Sequence, residues 1–223
     1  YKRQPVPRKI NIDAVKLPWR ILKSVRETRA VLKDVGANAV FGTGGYVAAP
    51  AYLAAKSLGI PFFVLETNAL AGMANKLGVR LGGTGINAQE GSGMPGEVLG
   101  IPVRPGLAED PDGTKAAAAR QNWDLDEGRP TIVVTGGSQG AVSINTAVAG
   151  ALEDLCRDFQ VLHAYGKKNT VPTEHEHYTA VPYIDDMAGA LAVADVMVCR
   201  SGAMTVAEVS AAGLPAILSL IHI

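Results

Sequence analysis

The segment VVTGGSQGA, Val133 to Ala141, joins an apolar run to a long helical pattern through Gly136, Gly137 and Gly140. Glycines so placed let the backbone turn sharply and let an anion come close. A helix opening just after them offers free N–H groups and the positive end of its dipole. Ser138 adds a hydroxyl donor at the same place. The stretch matches neither G-x-G-x-x-G nor a P-loop, since no Lys-Ser/Thr pair follows. A phosphate-binding turn and a turn that serves packing alone both remain open. CRSGAMTVAE repeats the design: Ser201 and Gly202 turn, and Ala203, Met204 and Thr205 open a helix that carries Glu208 one turn in. A carboxylate there can accept hydrogen bonds from a ribose diol, or it can simply favour the helix dipole. FGTGGYV, Phe41 to Val47, is a third such turn. Ligands of open α/β sheets bind at the carboxyl ends of strands, so such turns in two halves suit a cleft with a nucleotide on one side and an anionic acceptor on the other.

The elements that must hold these turns are strands alternating with helices. Ala39 to Phe41 reads as a strand and the stretch up to Leu58 as a helix, which Gly59 and Pro61 end; FFVLE is the next strand. This βαβ unit predicts parallel pairing. Pro- and Gly-rich sequence with a short Ala-rich helix follows, and a domain boundary is expected at Arg104 to Gly106. In the second half, Thr131 to Val134 and FQVLHAYG read as strands, and ADVMVCRSGAMTVAEVSAAGLPAI repeats strand, turn, helix, strand. The expected fold class is α/β, two Rossmann-like domains with parallel sheets.

The 223 residues are 48% hydrophobic and 19% charged, which excludes a disordered chain. A net charge of zero gives no sign of a nucleic-acid partner. Cys156 and Cys199 are far apart, without metal-ligand spacing. His163, His175, His177 and His222 form no convincing metal site, and the two histidines of HEH read as surface residues. Lys16, Arg20, Lys23, Arg26, Arg29 and Lys33 recur every three or four residues and read as one basic helix face, with Leu17, Trp19, Ile21, Leu22 and Val25 beside it. Such a helix either docks on an anionic membrane surface or presents an ordinary solvated face.

GTGGYVAAPAYLAAKSLGIP, ETNALAGMANK, GIPVR, GGSQGA, YIDDM and CRSGAMTVAEVSAAGLPAI occur in this order. Together, over Pro5 to Ile217, they resemble the MurG family of bacterial glycosyltransferases. The resemblance implies a GT-B fold, with a partial N-terminal acceptor and membrane-associating domain over 5–104 and a partial C-terminal UDP-GlcNAc-binding domain over 105–217. It implies inverting transfer of GlcNAc from UDP-GlcNAc to lipid I, forming lipid II in peptidoglycan synthesis. The enzyme would work peripherally at the cytoplasmic face of the cell membrane, with no metal and no cofactor. Carried over residue by residue, Ser138 lies near the donor phosphates, the Ile184 backbone reads uracil, Ala203, Met204 and Thr205 face the pyrophosphate, with Val206 and Ala207 in the same segment, and Glu208 binds the ribose. Asn68 and Arg104 are donor-site positions from the N-terminal side. Leu65 stands where the family commonly has His. The family's TGGH loop, with the expected base, and its Gln-rich loop have no counterpart in this sequence, so the catalytic base is unassigned.

Two other readings stay open: another GT-B UDP-sugar enzyme, such as a 2-epimerase-like one, and a nucleotide-binding module without catalysis. Tyr1–Gln4 back-translates as TAT AAG AGA CAG, whose reverse complement reads Leu-Ser-Leu-Ile, the start of the final LSLIHI. Residues 1–4 and 218–223 are therefore expected to be adapter-derived, with LSLIHI neither a strand nor a membrane tail.

Overall fold

The computed structural model describes residues 17–107, 109–170 and 173–219. Lys16, residues 1–4 and residues 220–223 lie outside them. The chain forms two compact units that meet in sequence between Ile101 and Pro102. Val103 already packs against the core of the second unit. Arg104 therefore belongs with that unit, whereas the sequence reading assigned it to the first.

The first unit runs α1 (Leu17–Asp34), β1 (Val40–Gly42), α2 (Ala48–Leu58), β2 (Phe62–Glu66), α3 (Met73–Arg80), β3 (Thr84–Asn87) and β4 (Glu97–Val98). Its four strands lie in the order β1-β2-β3-β4, all parallel. Gly59 ends α2 in the left-handed region at φ 69°, where a side chain would be strained. The core gathers Tyr52, Ala55, Phe62, Val64 and Met94. Tyr52 lies wholly buried, with its ring stacked on Phe62 at 5.5 Å between centroids. Strands β3 and β4 carry little sequence signal, because their approach depends on glycine rather than on β-branched residues. A Cβ on Gly85 would overlap the Pro95 carbonyl, and one on Gly96, at φ 148°, would overlap the backbone of Gly85.

Helix α1 packs against α2 and sends Leu32 toward the core. The basic residues do not form the single face expected of them. Steps of three residues fall short of a full turn, so Arg20 and Arg29 lie on opposite sides of the helix. Arg29 is half-buried, while Trp19, Lys23 and Arg26 face solvent. Lys23 and Glu27 pair at 3.8 Å, one turn apart.

The second unit runs α4 (Thr114–Trp123), β5 (Thr131–Thr135), α5 (Val142–Asp158), β6 (Gln160–Ala164), β7 (Tyr178–Val181), α6 (Met187–Val193), β8 (Val196–Arg200), α7 (Ala203–Ala211) and β9 (Ala216–Ser219). Its parallel strands lie in the order β7-β6-β5-β8-β9. Strand β5 is buried throughout and its side chains alternate between two cores, as the period of two requires. Ile132 and Val134 meet Ile144, Val148 and Leu152 of α5 on one face. Val133 meets Leu191, Met197 and Val209 on the other. Leu218 and Ser219 pair with Cys199 and Arg200 in β9, so the start of LSLIHI is strand, contrary to the sequence expectation. Ala216 and Ile217, just before them, pair with Met197 and Val198 in the same β8–β9 ladder.

Substituting Gly85 with alanine is expected to destabilise the first unit by roughly 1–3 kcal/mol through overpacking against the Pro95 carbonyl. Denaturant unfolding followed by far-UV circular dichroism measures it.

Candidate functional site

The site in the second unit is set by strand order. Strand β5 pairs with β6 on one side and β8 on the other, so the chain leaves the two neighbouring strands β5 and β8 in opposite directions. That is a topological switch point, where doubly wound sheets open a crevice at the carboxyl ends of their strands. Two of the turns singled out in the sequence lie there side by side: Gly136–Gly140 after β5 and Ser201–Gly202 after β8.

The first turn is shaped by close approaches. The Gly137 amide donates to Thr135 Oγ1 at 3.1 Å, and the Gly140 amide donates to the Gly137 carbonyl at 2.8 Å. A Cβ on Gly136 would overlap Ala141, and Gly137 and Gly140 lie at φ 84° and 71°. Ser138 is exposed at the tip. Helix α5 then begins at Ala141, with no side-chain cap and no acidic residue in its first turn. Helix α7 begins at Gly202 in the same condition, its first intrahelical bond running from the Val206 amide to the Gly202 carbonyl at 2.9 Å. Each helix thus presents first-turn N–H groups and a positive dipole end with no side-chain cap and no acidic residue in its own first turn.

On α7, Ala203, Met204, Ala207 and Glu208 share one side, with Glu208 one turn beyond Met204. Val206 points to the opposite side from Met204, so the structure does not bring all six expected residues of this segment together. Ile184 lies beyond β7 with its side chain buried in the core, which leaves its backbone for any ligand. Arg104 is exposed in the segment leading into the second unit.

A buried polar chain backs the first turn, and the sequence reading missed it. His163 is wholly buried on β6. Its Nδ1 lies 2.7 Å from the Tyr178 hydroxyl and its Nε2 lies 3.1 Å from Asn145 Oδ1. Asn145 Nδ2 donates to the Tyr165 carbonyl at 2.9 Å, which makes Oδ1 the acceptor. Nε2 must therefore carry the proton, and Tyr178 donates to Nδ1. Burial pushes the imidazole down to about 4, so the ring is neutral at pH 7.

In the first unit the turn Gly42–Tyr46 rests on a charged counterpart. Glu66, buried at the end of β2, accepts from the Asn68 amide at 2.9 Å and Asn68 Nδ2 at 2.7 Å through Oε1. Its Oε2 accepts from the Gly72 amide and from Asn75 Nδ2, both at 2.9 Å. Burial alone would raise this carboxyl, but the four donors outweigh it and hold it below its ordinary value. Asn75 also accepts from the Tyr52 hydroxyl at 3.0 Å and lies against Gly44. Burial raises the Tyr52 phenol, the Gly44 amide opposes this and the Glu66 charge adds to it. Asn68 itself is exposed, with its carboxamide oriented by Glu66. Leu65 is buried, and its carbonyl accepts from Asn75 at 3.2 Å, so its side chain has no polar role.

No group of three or more His, Cys, Asp or Glu arranged for a metal occurs among the described residues. Cys156 and Cys199 are free and buried, and burial raises both thiols.

Two parallel-sheet units of this topology, with glycine turns and bare helix ends at a switch point, define a GT-B type of nucleotide-sugar fold. The model of the glycosyltransferase family 28 N-terminal domain matches residues 2–82, and that of the family 28 C-terminal domain matches residues 131–220, together well over half of the chain. The chain belongs to glycosyltransferase family 28. It is 65% identical over 214 residues to the UDP-N-acetylglucosamine--N-acetylmuramyl-(pentapeptide) pyrophosphoryl-undecaprenol N-acetylglucosamine transferase of Corynebacterium efficiens, covering 96% of this chain and 59% of the relative. The crystal structure of MurG from Acinetobacter baumannii is similar at a TM-score of 0.67 and 31% identity, covering 92% of this chain and 59% of that one. A UDP-GlcNAc 2-epimerase from Neisseria meningitidis, bound to UDP-GlcNAc, shares the fold at a TM-score of 0.65 and 13% identity, covering 89% of this chain and 63% of that one. The chain thus spans about three fifths of the length of the relatives it matches.

A neutral buried histidine makes stability acid-sensitive. With the folded value near 4 and the ordinary one at 6.5, the unfolded chain takes up a proton first as pH falls. Stability is full above pH 6.5 and drops by roughly 3 kcal/mol by pH 4. His163→Gln should flatten that slope in denaturant midpoints measured against pH.

Proposed function

We propose that the full-length protein carrying this sequence moves GlcNAc from UDP-GlcNAc to lipid I, inverting the anomeric centre and forming lipid II. One observation carries the reading: two uncapped helix N-termini stand together at the β5–β8 switch point. The 65% identity to a relative named for this transfer supports UDP-GlcNAc as donor and lipid I as acceptor. UDP is bound in the second unit, with its diphosphate at the N-termini of α5 and α7 near Ser138, Ala203, Met204 and Thr205. Glu208 takes the ribose hydroxyls and the Ile184 backbone takes the uracil. Asn68 and Arg104 contribute to donor recognition, with Val206 and Ala207 completing the α7 segment.

The acceptor's 4-hydroxyl oxygen attacks the anomeric carbon from the side opposite UDP. The bond from that carbon to the β-phosphate oxygen breaks, its electron pair leaves with UDP, and the hydroxyl proton passes to a base not assigned to a residue of this sequence. Negative charge grows on the leaving diphosphate during the step. Amides and helix dipoles already oriented toward it stabilise that charge without reorganising, which lowers the barrier.

Helix α1 serves attachment to an anionic membrane surface at the cytoplasmic face. The exposed Trp19, beside Lys23 and Arg26, supports this, since an indole at headgroup depth and cations above it act together. No helix among the described residues is long and apolar enough to cross a membrane.

In the full-length protein, calorimetry should find UDP-GlcNAc bound more tightly than UDP-glucose, with GlcNAc transferred to lipid I. Glu208→Ala should weaken UDP-GlcNAc by about 10-fold or more, the worth of a charged hydrogen bond. Absence of GlcNAc preference would sink the transferase reading, and release of a 2-epimerised sugar without acceptor would favour epimerase chemistry. Reversing the charges of Arg20, Lys23 and Arg26 together should weaken sedimentation with anionic vesicles. Salt-dependent vesicle binding that stays as in wild type would remove α1 from that role.

A further inference from the structure

The Gly136–Gly140 turn is braced by a second loop, which follows β6. A Cβ on Gly140 would overlap the Tyr165 carbonyl and approach Asn169 Nδ2 to 2.6 Å, and one on Gly166 would overlap the Gln139 carbonyl. The two loops therefore touch backbone to backbone at Gly140 and Gly166. Asn169 fastens them: its Nδ2 donates to the Gln139 carbonyl at 3.0 Å and to the Tyr165 carbonyl at 2.8 Å, while its amide donates to the Gly166 carbonyl at 3.0 Å. Asn145 reaches the same Tyr165 carbonyl from α5, at 2.9 Å. One carbonyl thus receives two carboxamides, one from the helix that opens at the anion turn and one from the neighbouring loop.

Behind Asn145 the donors run in one direction: Tyr178 hydroxyl to His163 Nδ1, His163 Nε2 to Asn145 Oδ1, Asn145 Nδ2 to the Tyr165 carbonyl. The Tyr165 carbonyl can only accept, and that fixes which way the Asn145 carboxamide faces: turned over, it would set an oxygen against that carbonyl. Asn145 thus ties the buried chain of the second unit to the Tyr165–Asn169 loop, and that loop holds the Gln139 carbonyl.

We propose that Asn145 and Asn169 are positioning residues that hold the Gly137–Gly140 turn in the conformation a diphosphate requires, without touching the ligand. The proposal rests on the reading above that this turn takes the donor diphosphate. A loop that relaxes when either asparagine is changed loses the aim of its amides toward the phosphates. The nucleoside half of the ligand, recognised elsewhere on the same unit, is left as it was.

The test compares UDP, by calorimetry, with uridine, by NMR titration, on the full chain as wild type, Asn169→Ala, Asn145→Asp and the double variant. Asn145→Asp keeps an oxygen for the His163 N–H and removes the donor to Tyr165 but adds a buried negative charge near the turn, so Asn169→Ala, which adds none, decides the positioning role. Each single variant should weaken UDP by about 3- to 10-fold, the worth of one or two hydrogen bonds, with uridine within about twofold of wild type. The double variant should lose less than the product of the singles, because both act on one loop. A UDP-to-uridine ratio unchanged in Asn169→Ala, or equal losses for both ligands, overturns the proposal. Asn169 lies on a part-exposed loop, so that variant decides the matter even where Asn145→Asp does not fold. A wild type that binds UDP no better than uridine fails differently: it removes the diphosphate from this turn and overturns the functional reading as well.

Discussion

The placement of the candidate site depends on β5 having hydrogen-bonded neighbours on both sides and no neighbour in sequence on one of them. The crossover through α5 carries the chain to β6, and the return past β7 brings it back to β8 on the far side. Connections of this kind are right-handed, so helices leaving β5 and β8 go to opposite faces of the sheet. Their N-termini stay near the middle while their bodies part. That divergence leaves room above the strand ends and aims two dipoles into it. A single helix N-terminus would be an ordinary structural feature. Two uncapped ones after adjacent strands concentrate positive potential, and neither helix carries an acidic residue in its first turn.

Turns built from glycine are pliable, and the two units stiffen theirs by different chemistry. The first unit buries a charge. Glu66 has four donors, so its oxygens are filled and the carboxylate stays ionised despite burial. A group so placed orients Asn68 and the 67–72 segment and has no lone pair left to accept a proton from a substrate. The second unit uses neutral groups instead, and the direction of its hydrogen bonds makes one arrangement acceptable. Charge beside a diphosphate turn would matter: a buried anion there would oppose a phosphate, whereas a neutral histidine and asparagine leave the helix ends uncontested. The difference fits an anion-binding role for the second unit's turn.

Much of this was legible in the sequence, for reasons that can be named. Apolar runs bounded by glycine or proline turns mark strands, and β1, β2, β5, β6, β8 and the start of β9 are legible on that basis. Strands β3, β4 and β7 are not. β3 and β4 pair through Gly85 and Gly96, which carry no hydrophobic period. Short β7 follows a polar loop, and its Tyr178 reads like a surface tyrosine until His163 is found under it. His163 was legible only as a residue of an apolar strand. A polar residue at a core position of QVLHA demands a partner, but sequence alone does not name Asn145 or Tyr178. Adjacency of the two glycine turns after β5 and β8 was also invisible, because it depends on strand order rather than on local pattern.

Helix α1 shows the limit of periodicity in another way. Its cations recur at short, helical steps, yet repeated steps of three carry them round the axis, and Arg29 ends half-buried. What remains outward is Trp19 with Lys23, Arg26 and Lys33, and Arg20 to one side. A patch of that size binds weakly through charge alone, since each cation near an anionic surface is worth about 1 kcal/mol. The indole changes the balance. It adds a contribution that salt does not screen, so attachment by this helix should be partly salt-sensitive rather than wholly so. A helix with the same charges and no exposed Trp would leave such a surface at moderate ionic strength, so in the role proposed for α1 it is Trp19, not the number of cations, that would decide lasting attachment.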